Sequence, residues 1–269
     1  MNPITKLAIL GAGNIGTAIA RGLVNAGALP AAAITLTRRH AEKLAERAAE
    51  GFPTTADNLA ALATHDLVVL AVEPGQLNGL LREIRPALDP ERHILVSVVT
   101  GAQISAIRDI VGQAVPVVRA MPNTAIAVGQ SMTCLAGQGP ALDLAAAVFK
   151  PLGGTLVIRE EQMGPATALC ACGTAFFLRA IRAASQGGIE IGFHSADALA
   201  MAAQTALGAA ALLKERGLHP EREIDRVTTP RGATISGLNE MEHQGFSSAL
   251  IRGITTSTRK VEGLYRKEE

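Results

Sequence analysis

From Leu7 to Arg159, short apolar runs with hardly a polar interruption alternate with Ala-rich stretches whose apolar residues recur at helical spacing. The runs predict strands over Leu7–Leu10, Ile34–Thr37, Leu67–Ala71, Ile94–Val98, Val115–Arg119, Met132–Leu135 and Leu156–Ile158. A strand that is apolar at nearly every position has both faces covered, the pattern of a parallel sheet held between layers of helices. The helical stretches are Asn14–Ala26, His40–Glu50, Asp57–Ala63, Gln76–Ile84, Ser105–Ile110 and Leu142–Phe149. Asp57 and Ser105 stand where a polar side chain caps the unpaired amides of a first turn. This βα rhythm predicts an α/β fold built on a doubly wound, mostly parallel sheet.

After Arg159 the strand pattern stops, and helices are predicted over Thr167–Ile191, Ser195–Glu215, Pro220–Val227, Thr234–His243 and Phe246–Tyr265. The boundary falls between Glu160 and Gly164, giving a dinucleotide-binding domain over 1–162 and an all-helical domain over 163–269. In the second of these helices Ala198, Leu199, Met201, Ala202, Thr205, Ala206, Ala209 and Leu212 are more than one amphipathic face can hold. Soluble monomers do not keep large uncovered apolar patches, so this domain is expected to dimerise. No run approaches the ~18 uncharged apolar residues of a membrane helix. Met1 to Lys6 lead straight into a strand rather than a signal peptide. The expectation is a cytoplasmic protein with no membrane contact.

Composition narrows the class further. With 48% hydrophobic and 18% charged residues the chain buries a core and is not disordered. Lys and Arg number 25 against 24 Asp and Glu, and the resulting charge of +1 provides no field to gather nucleic acid. Aromatics are 3% with no Trp, which excludes a stacking platform for bases. Cys134, Cys170 and Cys172 have neither disulfide nor metal spacing, and no metal is expected. Cys170 and Cys172 read as small residues filling space at a dimer seam, with a redox pair as the alternative.

The sharpest local pattern is Gly11-Ala12-Gly13-Asn14-Ile15-Gly16, which follows the first strand and opens a helix. In that context the first glycine permits a tight turn, the second lets backbone approach a pyrophosphate, and the third lets helix pack closely on strand. The phosphates then sit at the helix N-terminus. A NAD-selective site ends its second strand with an acid that takes the ribose 2′-hydroxyl, whereas this chain reads Thr37-Arg38-Arg39. Two guanidiniums and a hydroxyl suit a 2′-phosphate, so NADPH is expected, with NADH as second choice. The two arginines also suit a solvated start to the next helix. Asn58 is grouped with these cofactor-binding residues. At the carboxyl ends of later strands come Ala71-Val72-Glu73-Pro74 and Met121-Pro122-Asn123, where a doubly wound sheet places its ligand. Finally, Thr229-Pro230-Arg231-Gly232-Ala233-Thr234 interrupts the helical domain and feeds a new helix. That is either a helix start with an ordinary cap or an anion site in which backbone N–H groups hold a carboxylate.

Taken in order and spacing, the Gly11 to Gly16, Ala71 to Pro74, Arg119 to Thr124 and Thr229 to Ile235 segments resemble pyrroline-5-carboxylate reductases. The likeness covers nearly the whole chain. It implies a Rossmann-type domain, a helical dimerisation domain, and NAD(P)H-dependent reduction of a small cyclic imine to proline by a homodimer or a ring of dimers. Imine reduction asks mainly for positioning and electrostatics. The expected substrate site is accordingly Thr229, Pro230, Arg231, Gly232, Ala233 and Thr234, with Thr234 near the imine nitrogen. None of the six histidines is assigned a role, all being read as surface residues, and Glu160-Glu161 reads as solvated. The chain departs from the family in three places. Glu73 replaces a lysine, Cys170-Ala171-Cys172-Gly173-Thr174 replaces Ser-Gly-Ser-Gly-Pro, and Arg231 replaces a glycine. These departures leave two alternatives: a sibling reductase of another imine or keto acid, such as a six-membered ring, and a non-catalytic NADPH-binding paralogue.

Overall fold

A computed structural model describes residues 4–261 and 263–265; Met1 to Pro3 and Glu262, which the sequence reading included, lie outside the described residues. The chain begins with β1 (Leu7–Leu10), α1 (Asn14–Asn25), β2 (Ile34–Thr37), α2 (Ala45–Ala49), β3 (Thr54–Thr55), α3 (Asn58–Thr64), β4 (Leu67–Leu70) and α4 (Pro74–Ile84). It continues with β5 (Ile94–Ser97), α5 (Ile104–Val111), β6 (Val117–Met121), β7 (Ser131–Ala136), α6 (Gly139–Phe149) and β8 (Gly153–Val157). The sheet order is β3-β2-β1-β4-β5-β6-β7-β8, parallel throughout except for the antiparallel β6–β7 pair. Because strand side chains alternate, Leu7, Ile9 and Val69 meet α1 and α6 on one face, while Ala8, Leu10 and Val68 meet α3, α4 and α5 on the other. Both faces are covered, which is why these strands carry no polar alternation.

The departures from the predicted elements have local causes. β6 starts at Val117 rather than Val115 because Pro116 has no N–H to give the ladder; its carbonyl alone pairs, with Leu95 N at 2.9 Å. β8 begins three residues early, at Gly153, where φ is +138° and a Cβ would lie 2.1 Å from the Ser131 carbonyl oxygen. The two-residue β3 was missed outright. Asp57 does cap α3, accepting from Leu59 N and Ala60 N at 2.9 and 3.0 Å. Ser105 does not cap α5, which opens one residue earlier. Its first amide, Ile104 N, donates instead to Glu160 Oε1 at 2.6 Å, and the same oxygen meets the buried Arg119 guanidinium at 3.3 Å. Burial lowers the pKa of Arg119 and Glu160 opposes that shift. Glu160, read as solvated, is therefore a clamp across 56 residues. Two histidines read as surface groups, His65 and His93, are buried, with ring nitrogens engaged by the Ala61 carbonyl and Asp89 N.

The long helix predicted over Thr167–Ile191 is present but composite. α7 (Met163–Ala166) leads into a π segment (Thr167–Cys172) and then α8 (Gly173–Glu190). Thr167 Oγ1 donates to the Met163 carbonyl at 2.7 Å, a side-chain bond that competes with the regular ladder where the helix widens. The first compact unit runs to Cys172, ten residues beyond the expected boundary, and takes back residues 257–261 and 263–265; residues 266–269 of the expected helical domain lie outside the described residues. Met163 holds the extra turns to the sheet unit, fully buried in a cluster with Met121, Cys134 and Ala136. Tyr265 fixes the returning chain, donating from its hydroxyl to Asn78 Oδ1 at 2.8 Å.

The second unit, Gly173–Thr256, contains α8, α9 (Ser195–Arg216), α10 (Pro220–Val227), α11 (Ala233–His243) and most of α12 (Phe246–Val261). α8 packs on α9, with Gly188 against Ala198. Phe177, Leu178, Ile191, Leu199 and Leu207 stay exposed. Contrary to the sequence expectation, two helical runs, Glu160–Glu190 and Ser195–Arg216, are long and apolar enough to cross a membrane by length and composition. Between Asp197 and Lys214 no charge interrupts the chain; so many of the residues are alanine and glycine that the run looks weaker than it is.

Candidate cofactor and substrate site

The strand order turns back on itself between β1 and β4, and a cleft of about 610 Å³ opens there at their carboxyl ends. That crevice is where a doubly wound sheet binds its ligand. The glycines shape its floor. Gly11 has φ +107°, and a Cβ there would lie 2.6 Å from the Ala71 carbonyl oxygen. A Cβ on Gly16 would lie 2.3 Å from the Gly11 carbonyl oxygen, so helix and turn touch backbone to backbone. A Cβ on Gly13 would meet nothing within 4 Å, leaving that backbone open to an incoming group. Gly13 is also the N-cap of α1, with no side chain capping the helix and no acid in its first turn, so the amides can face an anion. The turn is fastened from behind, Gly11 N and Ala12 N both donating to the Thr37 carbonyl at 3.1 and 2.8 Å.

Gly11, Ala12, Gly13, Thr37, Arg38, Arg39, Asn58, Ala71, Val72 and Glu73 all line this cleft, and Asn14, Ile15, Gly16 and Pro74 stand just behind it as helix starts and packing. Arg38 is half-buried and reaches the Ala12 carbonyl with Nη1 at 3.3 Å, and Arg39 is exposed. Thr37 differs from its expected role. Its hydroxyl is buried and donates to Asn58 Oδ1 at 2.6 Å, and Asn58 Nδ2 donates to Glu83 Oε1 at 3.0 Å. The Thr37 proton is thus spent on Asn58, and the cationic side chains of Arg38, Arg39 and Lys43 are the positive groups on the cleft wall. Sequence reasoning missed His40, Lys43, Gln76, Gly79 and Glu83, which also line the cleft. The last three share one face of α4 at helical spacing, a signal present in the sequence.

Met121, Pro122 and Asn123 do not line the cleft. Met121 and Pro122 are buried, and Asn123 is taken up in local bonds. Its Oδ1 accepts from Ala125 N at 3.0 Å, its N donates to Ser131 Oγ at 3.1 Å, and its Nδ2 donates to the Cys170 carbonyl at 3.2 Å. In the second unit, Thr229 to Thr234 form the turn into α11. Arg231 is the only described non-glycine residue with positive φ, at +59°. Gly232 N donates to the Thr229 carbonyl at 2.9 Å, and a Cβ on Gly232 would lie 2.4 Å from Thr229 Oγ1. Gly232 caps α11 without a side chain, and Thr229, Arg231, Ala233 and Thr234 are exposed.

Residues 6–101 match the family model described as NADP oxidoreductase coenzyme F420-dependent, and residues 160–264 match the one described as pyrroline-5-carboxylate reductase dimerisation. Pyrroline-5-carboxylate reductase 1 of Dictyostelium discoideum is 50% identical over 98% of this chain, which spans about half of that relative's length. Pyrroline-5-carboxylate reductase 2 of the same organism is 47% identical over 95% of this chain and 91% of its own. The chain belongs to the pyrroline-5-carboxylate reductase family. The solved pyrroline carboxylate reductase of Plasmodium falciparum, with NADP bound, shares the fold at TM-score 0.88 and 22% identity, covering 98% of this chain and 99% of that one. Among the departures from the reductase pattern, Glu73 is the N-cap of α4 on the cleft wall, Cys170 and Cys172 lie in the π segment, and Arg231 is held in the left-handed region.

Proposed function

We propose that this reductase converts 1-pyrroline-5-carboxylate to L-proline, taking its hydride from NADPH, and works as a homodimer. The observation that carries the reading is the open Gly13 backbone at an uncapped helix start, in a chain nearly half identical over its length to a reductase of that name. When bound, NADPH supplies the hydride. The Gly11 to Gly16 turn would hold its pyrophosphate, and Arg38 with Arg39 its 2′-phosphate, two forks matched to phosphate oxygens. The uncapped amides of Ala233 and Thr234 suit the substrate carboxylate, and the exposed Thr234 hydroxyl suits a hydrogen bond at the imine nitrogen. The protein's work is then orientation of a ring whose nitrogen is already protonated. The exposed apolar side chains of α8 and α9 support the dimer and offer a use for the two long apolar helices other than a bilayer. NADPH oxidation with pyrroline-5-carboxylate and with its six-membered homologue tests the reading. Faster turnover of the five-membered ring is expected; a clear preference for the larger ring would move the assignment to a sibling reductase, and tight NADPH binding without turnover of either would leave a binding protein.

A further inference from the structure

Cys170 and Cys172 were expected to fill space at a dimer seam, with a redox pair between them as the alternative, yet it is Cys134 and Cys170 that are brought together from distant parts of the first unit. Cys134 lies on β7, 2% exposed, and Cys170 lies in the π segment, half-buried. Cys134 belongs to the small cluster of Met121, Ala136 and Met163, and the Cys170 side chain packs against that same cluster. Neither is paired in a disulfide. Cys172, two residues on, is not part of that cluster. The π segment is the widened, less regular part of its helix, where the regular ladder holds the backbone least.

We infer that Cys134 and Cys170 form a thiol pair that a peroxide converts reversibly to a disulfide. Cys170 is the attacking group, being the more accessible of the two. The neighbouring Cys134 side chain holds the Cys170 pKa down at about 7, while Cys170 and burial push the Cys134 pKa up. A thiol so placed is about half thiolate near neutral pH and reacts ahead of an ordinary one. In the first step the Cys170 thiolate attacks the terminal peroxide oxygen and the O–O bond breaks. Sulfur loses two electrons and becomes a sulfenic acid, and the departing oxygen takes up a proton. In the second step the Cys134 sulfur attacks the Cys170 sulfur, an S–S bond forms, and the sulfenic hydroxide leaves with the Cys134 proton as water. The sum is two thiols and one peroxide to one disulfide, one water and one alcohol, or a second water for hydrogen peroxide. The bond would lock β7 to the π segment beside the Asn123 side chain, which donates to the Cys170 carbonyl.

The test uses the full-length protein with equimolar hydrogen peroxide, followed by alkylation and peptide mass spectrometry. The expected product is an intrachain peptide joining Cys134 to Cys170, lighter by two hydrogens than the reduced pair, and it returns to thiols with dithiothreitol. It is absent from Cys170→Ser and Cys134→Ala and retained in Cys172→Ser, and its rate of formation rises from pH 6 to pH 8. Because Cys134 is buried, the half-buried Cys170 carries the functional test: turnover of Cys170→Ser stays unchanged by the peroxide that lowers that of the wild type. NADPH-dependent turnover is expected to fall at least fivefold on oxidation and to recover on reduction. A Cys170–Cys172 link, a bridge between two copies, or sulfinic acid on Cys170 with Cys134 still reduced would overturn the inference.

Discussion

The two compact units solve the problem of apolar surface in opposite ways. In the first, the inner strands β1, β4, β5 and β6 send side chains into both faces and find a helix waiting, so Leu7, Ile9, Val69 and Val96 are 0% exposed within a single chain. In the second, described by itself, Ser185 and Ala198 are buried while Phe177 and Leu207 remain 60% and 62% exposed. The first unit covers its inner strands from both sides within one chain; the second leaves large apolar side chains along its helices uncovered. A doubly wound sheet carries its own covering layers, whereas long Ala-rich helices bury little against one another and need another layer to cover the rest.

The same substitution in the two units should break them differently, and this is the largest effect expected. Val69→Asp places an unpaired carboxylate at a position with no exposure, at a cost of roughly 4–5 kcal/mol or more, and should leave no folded protein by circular dichroism. Leu207→Asp removes no packing within the described chain and should leave helical content intact. It should instead move the sedimenting species to the mass of one chain and abolish turnover. A Leu207→Asp protein that sediments and turns over like wild type would show that this face is not covered by a second copy.

Next in size comes the cleft, where two neighbouring glycines separate folding from binding. Gly11→Ala drives a Cβ against the Ala71 carbonyl at a φ that alanine rarely adopts, and should lower stability by about 1–3 kcal/mol. Gly13→Ala meets nothing in the protein, so its cost is confined to the poorer N-cap that alanine makes, roughly 0.5–1 kcal/mol. The new methyl would then stand where a pyrophosphate is to lie, and NADPH affinity measured by calorimetry should weaken at least tenfold. Equal losses of stability in both variants would remove the distinction.

How much of this was legible in the sequence follows the same divide. Strands such as Leu7–Leu10 and Ile34–Thr37 were readable to the residue, because burial on both faces writes a continuous apolar run. The Gly11 to Gly16 turn was readable because each glycine answers a separate steric demand. What failed was non-local. No window of sequence reveals that Glu160 caps α5, that the Thr37 hydroxyl is consumed by Asn58, or that Cys170 and not Cys172 packs against the cluster that holds Cys134. Glu83 and Gln76 were within reach, since their spacing with Gly79 on α4 defines one face, but only the fold shows that this face looks into the cleft.

A smaller effect concerns cofactor choice. With the Thr37 proton committed to Asn58, the proposed 2′-phosphate contact falls first to Arg38 and Arg39, with Lys43 on the same wall. Arg38→Ala/Arg39→Ala should lower the ratio of kcat/KM for NADPH over NADH at least tenfold, from the loss of about 1.5–3 kcal/mol of charge-assisted bonding. An unchanged ratio would return both arginines to the role of a solvated helix start.

The smallest effect is expected at Arg231, and there the comparison between folding and function can be made nearly free of interference. Holding a non-glycine residue at φ +59° costs roughly 1 kcal/mol, which glycine would relieve. Glycine also loses more freedom on folding, roughly 0.5–1 kcal/mol, which acts in the opposite direction. The two terms nearly cancel, so Arg231→Gly should unfold within about 0.5 kcal/mol of wild type. Any change in kinetics then reports the guanidinium itself. The side chain is exposed, where an ion pair with a carboxylate contributes roughly 0.2–1 kcal/mol, so kcat/KM for pyrroline-5-carboxylate should fall by no more than about fivefold. A rise in kcat/KM for that substrate would show that Arg231 obstructs a proline-sized ring rather than holding it, and would favour a sibling reductase over proline synthesis.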